Sequence, residues 1–313
     1  MEICVEIIIE NSIKLIPTYM TQLDCLWPTL SLSFLYAINF SYINSAQKIQ
    51  KLVYIMILNH YLAGISMNSP LLKISLKLFP KELSHNMANP PRWVPMESNP
   101  EVWNELLKQM NVSPDWQFTD VWGLDPELLA MMPQTVAAVL LLYPISPNTE
   151  SLGREQLQSR TGEVDSSVFF MKQSVGNACG TVAILHSLLN NSDQIDIGEY
   201  ARNFKEECAG KSAEERAKAL ETNSLIAEKH ADAASSGQTA APSADEKVNL
   251  HFVAFVSVNG VLYELDGRKE RPVHWGECQR DELLSRGAVV CKKYMACDPG
   301  EMRFTVVSLT YNG

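Results

Sequence analysis

The sequence predicts an α+β fold in which helices and antiparallel strands surround one core, and three stretches carry that prediction. Val248 to Val258 and Val261 to Leu265 are β-rich runs separated by Asn259-Gly260, the strongest two-residue hairpin signal. Thr135 to Tyr143 is an apolar, β-branched-rich run that ends at Pro144, the pattern of a buried central strand. Val182, Leu185, Leu188 and Leu189 share one face of a helix that starts at Cys179.

The remaining elements follow in chain order. Asn99 to Leu107 has a helix start with Pro100 in its first turn and apolar positions 102, 103, 106 and 107, which predicts an early surface helix. Lys211 to Lys247 is dominated by Ala, Ser, Glu, Lys and Asp, and has almost no large apolar residue after Ile226. Its first part, Glu214 to Lys229, is expected to be transiently helical and the rest mobile. Asp281 to Met295 is expected to be a helix. Arg303 to Thr310, with Phe304, Val306, Val307 and Leu309, is expected to be a final strand.

Four residues within this frame suffice for thiol chemistry. A cysteine at a helix start sits against free amide N–H groups and the positive end of the helix dipole, which favour the thiolate. Gln173, six residues upstream, can donate its side-chain amide to an oxyanion beside the N–H of Cys179. Pairing outward from the Asn259-Gly260 turn sets Val258 against Val261 and Val253 against Asp266. His251 shares a face with Val253, so Asp266 stands diagonally across from it. Cys179 then serves as nucleophile, His251 as general base and acid, and Asp266 as the group that orients the imidazole. Singly, each residue has an ordinary explanation: a small buried hydrophobe for the cysteine, a strand histidine, a turn aspartate before Gly267. The four in this order and setting point to a cysteine hydrolase.

From Arg92 to Leu309 the chain resembles the ubiquitin C-terminal hydrolases, short single-domain deubiquitinases. The matching stretches are Arg92 to Val102, Asp125 to Leu129, Gln173 to Thr181, Leu250-His251-Phe252 and Leu262 to Arg268. The resemblance implies a papain-like cysteine protease fold, an α/β/α sandwich with a central, mainly antiparallel sheet and a knotted chain path, a rare exception to unknotted topology. It assigns the four chemical roles to Cys179, His251, Asp266 and Gln173 and requires no cofactor. It makes Glu97, Glu101 and Asp120 candidates for contacting the basic tail of ubiquitin, with Leu250 and Met302 for apolar contacts. It also places a crossover loop at about residues 211–247, over the active-site cleft. Such a loop favours small adducts or unfolded tails at the ubiquitin C-terminus over folded conjugates. A Nedd8-like modifier ends in the same kind of tail and is the alternative substrate. A different Cys-His-Asp endopeptidase or acyltransferase, and a non-catalytic ubiquitin-binding module, are the competing readings.

Composition narrows the rest. The chain has 313 residues and a net charge of −10, with no basic cluster that would track phosphates, so nucleic acid is not an expected partner. An acidic surface suits a basic protein ligand. Seven cysteines, without paired metal spacing or disulfide-like density, argue against zinc and for a reducing compartment, the cytoplasm. A monomer is expected. The first 86 residues differ in character, with six lysines against five carboxylates and two uncharged stretches, Cys25 to Gln47 and Leu52 to Leu72. Both are long enough to cross a bilayer but are interrupted by polar residues, and Glu2 and Glu6 stand where a signal peptide would be basic. Residues 1–86 are therefore expected to be a poorly ordered extension or an extended gene model, with a membrane anchor or a small helical addition as alternatives. Residues 87–313 are expected to form the catalytic domain.

Overall fold

Strands β1 (Trp116–Asp120), β2 (Val136–Pro144), β3 (Leu250–Val258), β4 (Val261–Leu265), β5 (Val273–Glu277) and β6 (Thr305–Tyr311) make a sheet of order β1-β6-β2-β3-β4-β5. Every pairing in it is antiparallel. The structure is a computed structural model, and it describes residues 92–238, 243, 246 and 248–313. The expectations for residues 1–86, including both uncharged stretches, fall outside the described residues.

Alternation along the strands builds two cores. Leu140, Leu142, Phe252, Ala254, Val256, Tyr263 and Leu265 face one side of the sheet. Val139, Leu141, Tyr143, Val253, Phe255 and Leu262 face the other. β2 has no exposed residue, as its unbroken apolar run predicts for a strand covered on both faces. On the first face pack α1 (Pro100–Gln109), α4 (Cys179–Leu189), α5 (Gly198–Glu207), α6 (Ala213–Thr222) and α7 (Ser224–Ser235). The second face carries the short α2 (Pro126–Leu129) and α8 (Leu283–Cys297), and α3 (Pro147–Ser159) packs against α8. The layers are helix, sheet, helix. Each buried Leu, Ile or Phe contributes about 1.5–3 kcal/mol to holding them together.

The predicted elements are present with shifts at their ends. Asn99 caps α1 by accepting from the Glu101 N–H at 2.9 Å. The hairpin pairs Val258 with Val261, and Asn259 and Gly260 adopt φ of 50° and 77°, the positive values its tight turn demands. The helix expected from Asp281 opens with a 3-10 turn over Arg280–Glu282 before α8. Elements α3, α5, β1 and β5 add to those expected above.

In the segment at 211–247 the helical part is longer than the expected Glu214 to Lys229, and α6 and α7 carry it from Ala213 to Ser235. Ser212 and Glu215 close a capping box on α6, and Asn223 caps α7 by accepting from Ile226. Both helices bury a face made of Ala217, Ala219, Leu220, Ile226, His230, Ala233 and Ala234. Apart from Leu220 and Ile226 that face is alanine and one histidine, too thin an apolar stripe to stand out in composition. The irregular stretch begins only at Ser236.

Candidate active site

Cys179 is the first residue of α4, whose residues 180–189 are all buried. The first intrahelical bond closes at Val182, so the N–H groups of the preceding turn have no acceptor within the helix. Ala178 supplies no side-chain cap. The loop that delivers the chain to this point is pinned from outside. Trp93 donates its N–H to Gly176 at 2.8 Å, Asn177 returns a side-chain amide to the Trp93 carbonyl at 3.0 Å, and Asn177 itself adopts φ 62°. A Cβ on Gly176 would stand 2.9 Å from Arg92 Cγ, so glycine lets the two segments run side by side. His230 of α7 locks the same region from above. Its Nε2 lies 2.8 Å from the Val94 carbonyl, its Nδ1 2.7 Å from the Thr181 hydroxyl, and its ring packs against Trp93.

His251 is the second residue of β3, and Asp266 follows the last residue of β4. Ala254 pairs with Leu265, so continuing the register sets Val253 against Asp266. His251 Nε2 lies 2.7 Å from Asp266 Oδ1, and both residues are buried. The other ring nitrogen is left for the thiol. Burial alone would push the Cys179 thiol up, but a hydrogen bond to His251, the charge on that ring and N–H groups of Phe252 and Gly180 together bring it below its ordinary value. His251 moves the opposite way. Burial disfavours its proton, yet the Asp266 carboxylate and the Cys179 sulfur outweigh that and raise it to about 9. Asp266 resists its own burial through His251, Lys269 and the Arg268 N–H, and sits well below the usual carboxylate range. These shifts favour a thiolate facing an imidazolium, with an ionised carboxylate behind.

The other described cysteines show the contrast. Burial pushes Cys208 and Cys278 up to about 11 and Cys291 further. Cys297 also rises. All five described cysteines are free. Among the described residues no three His, Cys, Asp or Glu side chains group as metal ligands would, and no helix is long and apolar enough to cross a membrane.

Gln173 reaches the site through the turn that carries Asp266. Its backbone N–H donates to the Gly267 carbonyl at 2.9 Å. One amide hydrogen on Nε2 goes to the Val175 carbonyl at 3.1 Å, which leaves the second to donate elsewhere. A Cβ on Gly267 would lie 2.9 Å from Gln173 Cβ and 3.0 Å from its backbone nitrogen, so only glycine permits this approach.

By alternation His251 and Asp266 belong to the α8 face of the sheet, whereas Cys179 arrives on a helix from the opposite face. The site forms where the layers meet, at the end of the sheet where β1 and β2 finish and β3 and β6 begin. Asp120, Leu250 and Met302 belong to that same end. Met302 is 87% exposed, Asp120 is exposed, and burial nudges the Asp120 carboxyl upward. Glu97 and Glu101 lie on the α1 side. Glu101 accepts from Gln238 Nε2 at 3.3 Å, and a Cβ on Gly237 would collide with the Glu97 carboxylate, so the chain leaving α7 runs across both. Sequence reasoning missed Trp122, two residues past Asp120, which is 74% exposed. The only signal was a large apolar side chain in a run of Gly, Asp and Pro.

The family model described as ubiquitin carboxyl-terminal hydrolase, family 1, matches residues 93–296. A ubiquitin carboxyl-terminal hydrolase of Aplysia californica is 47% identical over 215 residues, covering 68% of this chain and 99% of the relative. The human ubiquitin carboxyl-terminal hydrolase isozyme L1 is 40% identical over 218 residues, 69% of this chain and 96% of the relative. Among solved structures, the UCH37 catalytic domain of Trichinella spiralis, bound to ubiquitin vinyl methyl ester, shares the fold. It matches at TM-score 0.56 and 22% identity, over 70% of this chain and 95% of that one.

Proposed function

The chain belongs to the ubiquitin carboxyl-terminal hydrolases, family 1, cysteine-type peptidases of α+β, papain-like fold, and from that premise we propose that Cys179, His251, Asp266 and Gln173 carry its chemistry. One observation supports the assignment above the others. Of the described cysteines, the thiol favoured as thiolate is the one bonded to a histidine that is itself bonded to a buried carboxylate.

The substrate is the bond after the terminal glycine of ubiquitin. The Cys179 thiolate attacks the carbonyl carbon, and the oxyanion is held by the free amide hydrogen of Gln173 and the Cys179 N–H. The carbonyl re-forms as the bond to the leaving group breaks, and the His251 imidazolium gives its proton to the departing amine or thiol. His251, now neutral, takes a proton from water, whose oxygen attacks the thioester and frees the ubiquitin carboxylate and the thiolate. Asp266 fixes the ring and balances its charge throughout.

Recognition under this reading is acidic and apolar by turns. Glu97, Glu101 and Asp120 meet the basic tail, while Leu250 and Met302, joined by Trp122, offer apolar contact at the same end of the sheet. The crossover loop, expected at about residues 211–247, favours small adducts or short tails as leaving groups. One copy supplies the whole site, so the enzyme acts as a monomer. A thiolate nucleophile works best in a reducing compartment, here the cytoplasm. Residues 1–86 precede the matched region and are dispensable for chemistry, so a chain beginning at Met87 should turn over as the full one does.

Ubiquitin carrying an electrophilic C-terminal vinyl methyl ester tests the assignment. One adduct per chain, with the modified peptide containing Cys179 and no adduct on Cys179→Ala, is the expected result. Modification of Cys208, Cys278 or Cys297 instead would overturn it.

A further inference from the structure

Behind the His251–Asp266 pair lies a second buried charge system that the proposed chemistry does not use. Lys269 is 7% exposed and Glu264 is fully buried. The Lys269 ammonium has three donors, and three acceptors meet them: the Glu264 carboxylate, Gln156 Oε1 at 2.8 Å and the Tyr294 hydroxyl at 3.1 Å. Glu264 is satisfied in turn by Lys269, by the Tyr294 hydroxyl at 2.7 Å and by Trp275 Nε1 at 3.0 Å. The cluster joins α3, β4, β5 and α8 to one short turn.

That turn is Asp266 to Lys269, and each of its residues holds something at the site. Lys269 closes it by donating its N–H to the Asp266 carbonyl at 2.9 Å. The Arg268 N–H donates to Asp266 Oδ1 at 2.9 Å, the oxygen that also meets His251. The Gly267 carbonyl receives the Gln173 N–H, so the turn places the oxyanion donor as well as the carboxylate. The Arg268 side chain reaches Glu150, but both groups there are over a third exposed, and such a pair holds little. Lys269 is the turn's buried anchor.

We infer that Lys269 is a positioning residue: its buried pairing with Glu264 fixes the Asp266–Lys269 turn and thereby sets Asp266 and Gln173 together. The inference rests on the roles proposed above for those two residues. The charge of Lys269 also favours the ionised form of Asp266. A neutral side chain of the same length would fill the space without holding the turn.

The test uses full-length protein and ubiquitin with a C-terminal coumarin amide. Lys269→Met alone strands a buried carboxylate and can unfold the chain. Lys269→Met with Glu264→Gln removes both charges, and Tyr294→Phe removes only the hydroxyl that links them. The double variant is expected to keep KM within about two-fold of the wild type and to lose at least about ten-fold in kcat, with a smaller kcat loss in Tyr294→Phe. Wild-type kcat in both variants would overturn the inference and reduce Lys269 to a counter-ion for Glu264. A rise in KM at constant kcat in either would overturn it too. If the wild type releases no coumarin, the proposed function fails first and the inference falls with it. Wild-type turnover beside unaffected kcat in both variants sinks the inference alone.

Discussion

His251 Nε2 and Asp266 Oδ1 stand 2.7 Å apart in a buried setting, one residue at the start of β3 and the other just past the end of β4. The separation is short enough for a charge-assisted hydrogen bond, and the same carboxylate oxygen takes the Arg268 N–H. The ring is therefore fixed in orientation and in the nitrogen it presents to Cys179.

Asp266→Asn keeps the shape and removes the charge. The imidazolium loses its partner, and the amide can present an N–H where an acceptor is needed. The expected loss in kcat is on the order of a thousand-fold, with ubiquitin binding by the Cys179→Ala form unchanged by the added substitution. Steady-state kinetics and a binding titration check both halves.

The pH dependence follows from opposed shifts. The thiol lies below its ordinary value and His251 is raised to about 9, so the thiolate–imidazolium pair is populated between the two. Activity should rise on an acid limb as Cys179 ionises and fall on an alkaline limb near 9 as His251 loses the proton it must donate. His251→Ala removes the hydrogen bond and the charge while burial persists, so iodoacetamide alkylation of Cys179 should shift to higher pH. For stability the sign is that of a raised base: the His251 contribution is full below its ordinary 6.5 and is lost as pH climbs through about 9.

How far the sequence led can be judged residue by residue. Asn259-Gly260 dictated one turn geometry, and period-two alternation then carried the register to Val253 and Asp266, so His251 and Asp266 were legible before any coordinates. Cys179 was legible because an apolar helix begins at it. The full extent of α6 and α7 was not, because beyond Leu220 and Ile226 they pack through alanines and His230, which leave only a thin hydrophobic stripe. The Lys269–Glu264 pair was equally hidden, since a buried ion pair reads in sequence as two surface charges. The grouping of Trp122 with Asp120, Leu250 and Met302 depends on which strands end together, which one strand's pattern does not state.

Gly267→Ala tests the approach of the turn to Gln173. The added Cβ would stand 2.9 Å from Gln173 Cβ and 3.0 Å from its backbone nitrogen, so one of them must move. Overpacking of this kind costs about 1–3 kcal/mol in stability. A displaced oxyanion donor should lower kcat by about 10²-fold, with little change in KM. Urea melts and steady-state kinetics separate the two effects.

Two further histidines predict acid sensitivity. Burial holds His186 and His230 at about 4, and each accepts a hydrogen bond: His186 Nε2 from the Met171 N–H at 3.1 Å, His230 Nδ1 from the Thr181 hydroxyl. The unfolded chain binds their protons first, so stability falls as pH drops from 6.5 toward about 4. Each site accounts for about 3 kcal/mol at the acid end of that window. Urea melts across the window should show the decline, and His230→Gln should remove about half of it.

The most direct measurement is coumarin release from the ubiquitin C-terminus by the full chain beside its Cys179→Ala variant. Steady turnover by the first, none by the second and equal ubiquitin binding by both are expected. Equal turnover by the two chains, or none by a correctly folded wild type that binds ubiquitin, would contradict the assignment of the chemistry to Cys179.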